Sequence, residues 1–315
     1  MLRNSLRLIL SFCLLLHTAV AQKANPIQFA DPTIFEHKGT WYLYGTGESA
    51  GEGGFKVYTS NDTKNWVDRG AVLKKGESFG TKGFWAPQVF EYRKKFYMAY
   101  VADENIAIAE SDSPLGPFKQ REKKAISAPV RMIDPFVFFD QGKVYLYHVR
   151  LDQGNRIFVA EMKNDLSGIK EETLKACISA TDAWEDTQKV SWKVTEGPTV
   201  LKRDHTYYLF YSANDYRNPD YAVGYATSNT PIGPWKKYQH NPIISRSQTQ
   251  VNGSGHGDFF SDSEGKLTYV FHTHESNAEV GKRKTAMITA AFVKDKDGKD
   301  VLKVDSKSFR YLLEK

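Results

Sequence analysis

Cysteine is nearly absent: the 315 residues contain two, Cys13 and Cys177. Cys13 lies in the N-terminal leader described below. The chain that follows the leader therefore has no internal disulfide available, and packing must hold the fold together. Long apolar runs are also missing beyond the first 21 residues, which excludes a helical membrane protein. Extended helical periodicity is lacking; only residues 164–175 could form one or two helical turns. Neither sign of charge dominates, with 43 Lys and Arg against 37 Asp and Glu. These are scattered rather than striped, so nucleic acid is not an expected partner. The 12 Pro and 23 Gly follow no triplet period, which excludes a collagen. Aromatic residues, by contrast, are plentiful at 13%, and that share with ordinary charge excludes a disordered chain.

Residues 1–21 read as a secretory signal peptide. Arg3 and Arg7 open it, Leu8 to Leu16 is an apolar stretch, and Ala19-Val20-Ala21 is a small-x-small cleavage site. The apolar stretch is too short to span a bilayer. Cleavage would leave residues 22–315 as a mildly basic, exported chain with no membrane segment. Localisation is expected to be periplasmic or secreted.

Five segments of the mature chain resemble one another. They begin at Asp31, Ala86, Asp134, Gly197 and Asp258. Each has an apolar strand, a polar turn of about four to six residues and an aromatic-rich strand. A tyrosine falls at the same place in every copy: Tyr42, Tyr97, Tyr145, Tyr208 and Tyr269. A further short β-type run follows each unit. This period, with three to four strands per unit, is the mark of a propeller blade. The expected fold is all-β, a five-bladed β-propeller, occupying residues 22–315 as one domain without an internal linker. Residues 24–30 are expected to supply a closing strand, because a ring must hide its edges. A β-sandwich of similar hairpins is the alternative.

The innermost strand of a blade lines the axis, so the start of each repeat is a natural site position. Asp31, Trp85-Ala86, Asp134, Glu196-Gly197 and His256-Gly257-Asp258 stand there. Asp31, Asp134 and Glu196 place a carboxylate at the head of an apolar strand, where an isolated charge is costly. Paired carboxylates around one cleft suit acid–base cleavage of a glycosidic bond. Asp-Pro and Glu-Gly-Pro also initiate turns, which is the plainer reading of each taken singly. Other chemistries find less support. The glycines between Gly47 and Gly54 lack the Lys-Ser/Thr of a phosphate loop. Asn252-Gly253-Ser254-Gly255-His256 lacks the first glycine of a nucleophile elbow. His272 and His274 have no third ligand at zinc spacing.

Taken together, Phe29-Ala-Asp-Pro32, Phe84-Trp-Ala-Pro-Gln-Val89, Met132-Ile-Asp-Pro135, Thr195-Glu-Gly-Pro198 and Gly253-Ser-Gly-His-Gly257 resemble family 43 of the glycoside hydrolases over residues 26–300. The resemblance implies an inverting mechanism with Asp31 as general base, Glu196 as general acid and Asp134 as the carboxylate that orients the acid and raises its pKa. It implies that Trp85 stacks on the sugar, where the alternative is a blade-core tryptophan. It places His256 at the ring centre, with a Ca2+ held directly or through water, where the alternative is a buried core histidine. Arg283 would reach the sugar, unless Lys282-Arg283-Lys284 is only a solvated charge run. His272 is expected to line the axis and contact substrate. Gln88 departs from the acid that many relatives carry. The implied activity is exo-acting α-L-arabinofuranosidase on arabinose- or xylose-containing glycans, with β-xylosidase, an endo-acting arabinanase or xylanase, or a non-catalytic sugar-binding propeller as rivals. The long inserts near 47–55, 165–195 and 212–221 favour a walled pocket. No obligate protein partner is indicated.

Overall fold

The computed structural model describes residues 25–47 and 53–315; the expected signal peptide, residues 1–21, lies outside them. Five sheets are arranged in a ring. Blade I has strands Ala30–His37, Thr40–Thr46, Gly54–Ser60 and Asn65–Lys74; blade II has Trp85–Tyr92, Lys95–Ala102 and Asn105–Ser111. Blade III has Met132–Asp140, Lys143–Leu151, Asn155–Glu161 and Lys175–Ile178. Blade IV has Thr195–Arg203, Thr206–Ala213, Ala222–Ser228 and Lys236–Lys237; blade V has Gly255–Ser261, Leu267–Thr273, Lys284–Lys294 and Asp300–Val304. The first strand of each blade touches the first strand of the next, and that of blade V touches that of blade I. The expected five-bladed propeller is thus the observed fold.

The core is divided in the same way. One apolar cluster fills each gap between neighbouring blades, for example Tyr44, Phe55 and Val57 of blade I against Met98 and Tyr100 of blade II. The gap between blades V and I is filled by Phe29, Leu43, Tyr58 and Trp66 against Phe260, Val270 and Met287. Alternation along each strand sends apolar side chains to both faces of a blade, so every sheet is covered twice. Truncating a fully buried aromatic such as Trp66 would cost about 3–5 kcal/mol.

Two local expectations are corrected and one, the helical turn within residues 164–175, is met. The hairpins of blades I to IV close through two residues rather than four to six, as in the pairs His37–Thr40 and Tyr92–Lys95. Lys38-Gly39 and Gln141-Gly142 both have positive φ, the geometry that matches strand twist, so the strands run on into the polar residues. Residues 164–175 hold one 3-10 turn, Glu171–Thr173. The strand that joins blade I to the end of the chain is C-terminal: Leu313–Glu314 pairs in parallel with Asn65–Trp66. Residues 26–27 lie against it, with Ile27 N–H donating to Leu312 O and Thr285 N–H donating to Ile27 O.

The inner strands share one further device. Each has a register break near its start, at Ala30/Thr33, Trp85/Gln88, Ile133/Phe136, Glu196/Thr199 and Gly255/Gly257. At each break one residue is left-handed: Asp31 (φ 48°), Ala86 (φ 44°), Asp134 (φ 55°), Gly197 (φ 60°) and His256 (φ 45°). Such a bulge re-aims a side chain. Proline follows four of these residues, and its missing N–H is harmless where the ladder is already interrupted. In blade V the follower is Gly257, because a Cβ there would stand 1.8 Å from Val270 O. Holding Asp31, Asp134 and His256 left-handed costs on the order of 1 kcal/mol each.

Candidate active site

The five bulges converge at one end of the axis and gather side chains from separate blades. Asp31 is the most heavily supported. Its Oδ2 accepts from Thr46 Oγ1 at 2.6 Å. Its Oδ1 lies 3.3 Å from Arg283 Nη1, 3.2 Å from His256 Nδ1 and 3.3 Å from His272 Nδ1. Burial alone would raise the pKa of this carboxyl. The charges of His256 and Arg283 overcome burial and hold it well below the ordinary value of 3.8.

Asp134 and Glu196 are pushed the other way. Burial, then the neighbouring Asp31 charge, pushes Asp134 up to about 7. Burial, then the Asp134 charge, pushes Glu196 up to about 7. The two therefore share one proton near neutrality. The donors around them decide where it rests. Asp134 Oδ2 accepts the Gly197 backbone N–H at 3.0 Å, a group that can only donate and so favours the anion. Glu196 Oε1 accepts from the Tyr221 hydroxyl at 2.8 Å, and that hydroxyl can equally accept from a protonated carboxyl. Asn155 Nδ2 donates to Glu196 Oε2 at 3.1 Å. Asn155 Nδ2, like the Gly197 N–H, can only donate, so the Tyr221 hydroxyl on Glu196 is the one of these partners able to accept from a protonated carboxyl, and the proton is assigned to Glu196 on that ground.

Glu196 differs from the other two carboxylates in its place in the repeat. Asp31 and Asp134 occupy the left-handed position itself, whereas in blade IV that position is Gly197 and the acid is one residue earlier. A Cβ on Gly197 would stand 2.8 Å from the His256 ring. The longer glutamate side chain makes up for its earlier starting point. His256 Nδ1 lies 3.8 Å from Asp134 Oδ2 as well as close to Asp31, so this imidazole bridges two of the carboxylates.

The remaining expected residues are placed as follows. Trp85 is 38% exposed and is not a blade-core residue. Arg283 is no solvated charge: besides Asp31 it meets the face of Tyr216, 4.5 Å from the ring centroid. His272 is fully buried, stacks on Tyr221 with centroids 5.6 Å apart, and accepts the Asp31 backbone N–H at Nδ1. Burial, then Arg283, lowers its pKa to about 3, so the ring is neutral and its proton is assigned to Nε2. That Nε2 is buried with no hydrogen-bond partner among the described residues. His272 thus supports Asp31 and Tyr221 rather than standing open to a ligand. His274 is also inward, with Nε2 2.7 Å from Tyr216 O. Gln88 ties blades together, its amide exchanging bonds with the backbone of Val137. Asp258 does the same, accepting from Thr33 and Thr199.

Beneath the carboxylates the axis narrows to a cavity of about 20 Å3 bordered by Asp31, Asp134, His256 and Asp258, the room needed by one water. Calcium takes six to eight oxygen ligands. Among the described residues no group of three or more His, Cys, Asp or Glu side chains is arranged to hold a metal. The side chains present do not themselves form a calcium shell, and no step below runs through a metal. On the Asp31 side a larger hollow of about 870 Å3 opens beside Thr46, Tyr216 and Arg283.

Sequence reasoning missed Thr46, Asn155 and Tyr221, the partners of the base and the acid. Tyr221 falls at the end of a segment that stood out for its length, but nothing in the pattern set it apart. Thr46 and Asn155 are ordinary strand-end residues.

Comparison with known proteins agrees with the fold. The sequence pattern of glycosyl hydrolases family 43 matches residues 23–297, and the chain belongs to that family. The chain superposes on the crystal structure of an endo-1,4-beta-xylanase from Bacteroides thetaiotaomicron with a TM-score of 0.83 at 42% identity, covering 90% of this chain and 96% of that one. It is 26% identical over 237 residues to an extracellular exo-alpha-(1->5)-L-arabinofuranosidase of Cellvibrio japonicus, a match spanning 64% of each chain. It is also 26% identical to an extracellular endo-alpha-(1->5)-L-arabinanase of Bacillus subtilis, over 65% of this chain and 66% of that relative. Among the described residues no helix is long and apolar enough to cross a membrane.

Proposed function

We propose that this member of glycosyl hydrolases family 43 is an exported, inverting hydrolase that removes terminal α-L-arabinofuranose from arabinose- and xylose-containing glycans. One observation carries the chemistry: Asp31 and Glu196 lie close enough for the Asp31 charge to act on the Glu196 carboxyl, and their pKa values are pushed in opposite directions. That is the division an acid–base pair requires.

Asp31, kept ionised, takes a proton from a water molecule on one face of the sugar. The water oxygen bonds to the anomeric carbon as the glycosidic C–O bond breaks. Glu196 gives its proton to the departing oxygen on the other face, and the anomeric configuration inverts. Asp134, buried beside Glu196, keeps the acid protonated until that moment. Arg283 and His256 hold Asp31 in its charged form. Trp85, exposed at the head of blade II, offers an apolar face to the sugar ring.

A second reading, xylan cleavage, draws on the 42% identity to the endo-xylanase and on the hollow beside Arg283, which could admit a longer chain. Aryl α-L-arabinofuranoside, aryl β-D-xyloside and xylan separate the readings. Release of arabinose with inverted configuration, followed by NMR of the fresh product, is expected. Turnover of xyloside or xylan alone would move the assignment to the second reading. Sugar binding unaffected by Glu196→Gln, with no turnover of any glycoside, would leave a non-catalytic binding propeller.

A further inference from the structure

Trp192 is the most exposed large apolar side chain among the described residues, at 49%. It lies in the segment between the outer strand of blade III and the inner strand of blade IV, two residues short of Val194 and four short of Glu196. An indole left in water is ordinary on a loose loop, but this one is anchored. Its Nε1 donates to Asn155 Oδ1 at 2.8 Å, and the same Asn155 amide donates to Glu196 Oε2 at 3.1 Å. The backbone beside it is fixed to the same residue: Asn155 N–H donates to Lys193 O at 2.8 Å, and Thr195 Oγ1 donates to Asn155 O at 3.1 Å. Asn155 therefore sets the acid and the indole in a fixed relation, with one amide between them.

Given the inverting reaction above, the leaving group must lie on the Glu196 side, because that carboxyl protonates its oxygen. We infer that Trp192 is the platform for the leaving-group sugar, stacking its indole on the apolar face of the pentose or pentose chain that departs. With Trp85 on blade II taken, as proposed above, to stack on the sugar that is attacked, two exposed indoles would grip the two sides of the scissile bond. The spacing is selective. A leaving group without a ring reaches Glu196 but not Trp192, so the platform reads the aglycone and not the bond. Indole contact of this kind contributes on the order of a tenfold change in affinity.

The test compares an oligosaccharide substrate with the corresponding glycosyl fluoride, whose leaving group is too small to touch the indole and needs little help from an acid. In Trp192→Ala the ratio of oligosaccharide to fluoride kcat/KM should fall about tenfold, mainly through KM. Trp192→Phe keeps a ring but loses the bond to Asn155, and should recover most of that ratio. An unchanged ratio in Trp192→Ala would overturn the platform. So would a Trp192→Phe as poor as Trp192→Ala accompanied by a displaced pH profile, which would mean that the indole acts only through Asn155 on the acid. A wild-type protein that cleaves neither substrate would instead overturn the hydrolase reading, and the platform with it.

Discussion

The two walls of the axial hollow start from the same kind of residue and end with opposite properties. On one wall, blade I places Asp31 among Arg283, His256, His272 and Thr46, and the carboxyl stays ionised far into acid. On the other, blades III and IV place Asp134 and Glu196 next to each other, with one backbone N–H, one phenol and one amide as their principal donors. Burial raises the pKa of all three. What differs is whether cations or a second carboxylate are the nearest charges. A buried acid is thus made into a base or a proton donor by its neighbours and not by its own chemistry.

The sharpest way to break this contrast is to neutralise each wall in turn. Asp31→Asn should lose roughly ten-thousandfold in kcat/KM with every leaving group, since none can activate water. Glu196→Gln should lose as much on an oligosaccharide but recover strongly with an activated aryl leaving group, which needs no proton. Equal rescue of both variants would contradict the assignment. The wild-type profile is part of the same contrast: activity should fall as pH rises through about 7, where Glu196 loses its proton, and hold in acid to below pH 4, because Asp31 remains charged.

Removing the cation from the first wall is expected to cost less. Arg283→Ala should reduce kcat/KM roughly a hundredfold and move the acid limb to higher pH, because the charge that lowers the Asp31 pKa is gone. A smaller effect belongs to the second wall. Tyr221→Phe takes away a bond that stabilises the Glu196 anion, so the alkaline limb should move up while kcat drops about tenfold. A plain structural lesion would lower activity without shifting the limb.

The smallest effect concerns stability. Burial and the Asp31 charge raise the folded-state pKa of Asp134, so holding it ionised beside Glu196 costs folding free energy that appears as pH rises above 3.8 and is absent below it. Asp134→Asn keeps an acceptor for the Gly197 N–H and tolerates the left-handed backbone. It should stabilise the protein by about 1 kcal/mol at pH 7.5, with no gain at pH 3.5, as read from denaturant unfolding. It should also move the Glu196 limb to lower pH.

Much of this could be read in the chain. Asp31, Asp134 and Glu196 were legible because each puts a carboxylate at or one residue before the start of a repeat, where an apolar strand begins. Trp85 and Arg283 were legible through the family resemblance alone. The partners that give the carboxylates their roles were not. Thr46, Asn155 and Tyr221 are single polar residues at strand ends, 15, 41 and 25 positions from the acids they support. The bulge that turns Asp31 and Asp134 inward was also hidden, because a left-handed residue before proline has no signature of its own in sequence.

The sequence by itself determined the number of blades and where each begins, since a strand–turn–strand unit is specified by residues close together in the chain. Only the tertiary structure decided which carboxyl keeps its proton. That outcome depends on Coulomb and desolvation energies between groups as far apart in sequence as Asp31 and Arg283, and these have no value until the ring has closed and brought them within hydrogen-bonding reach.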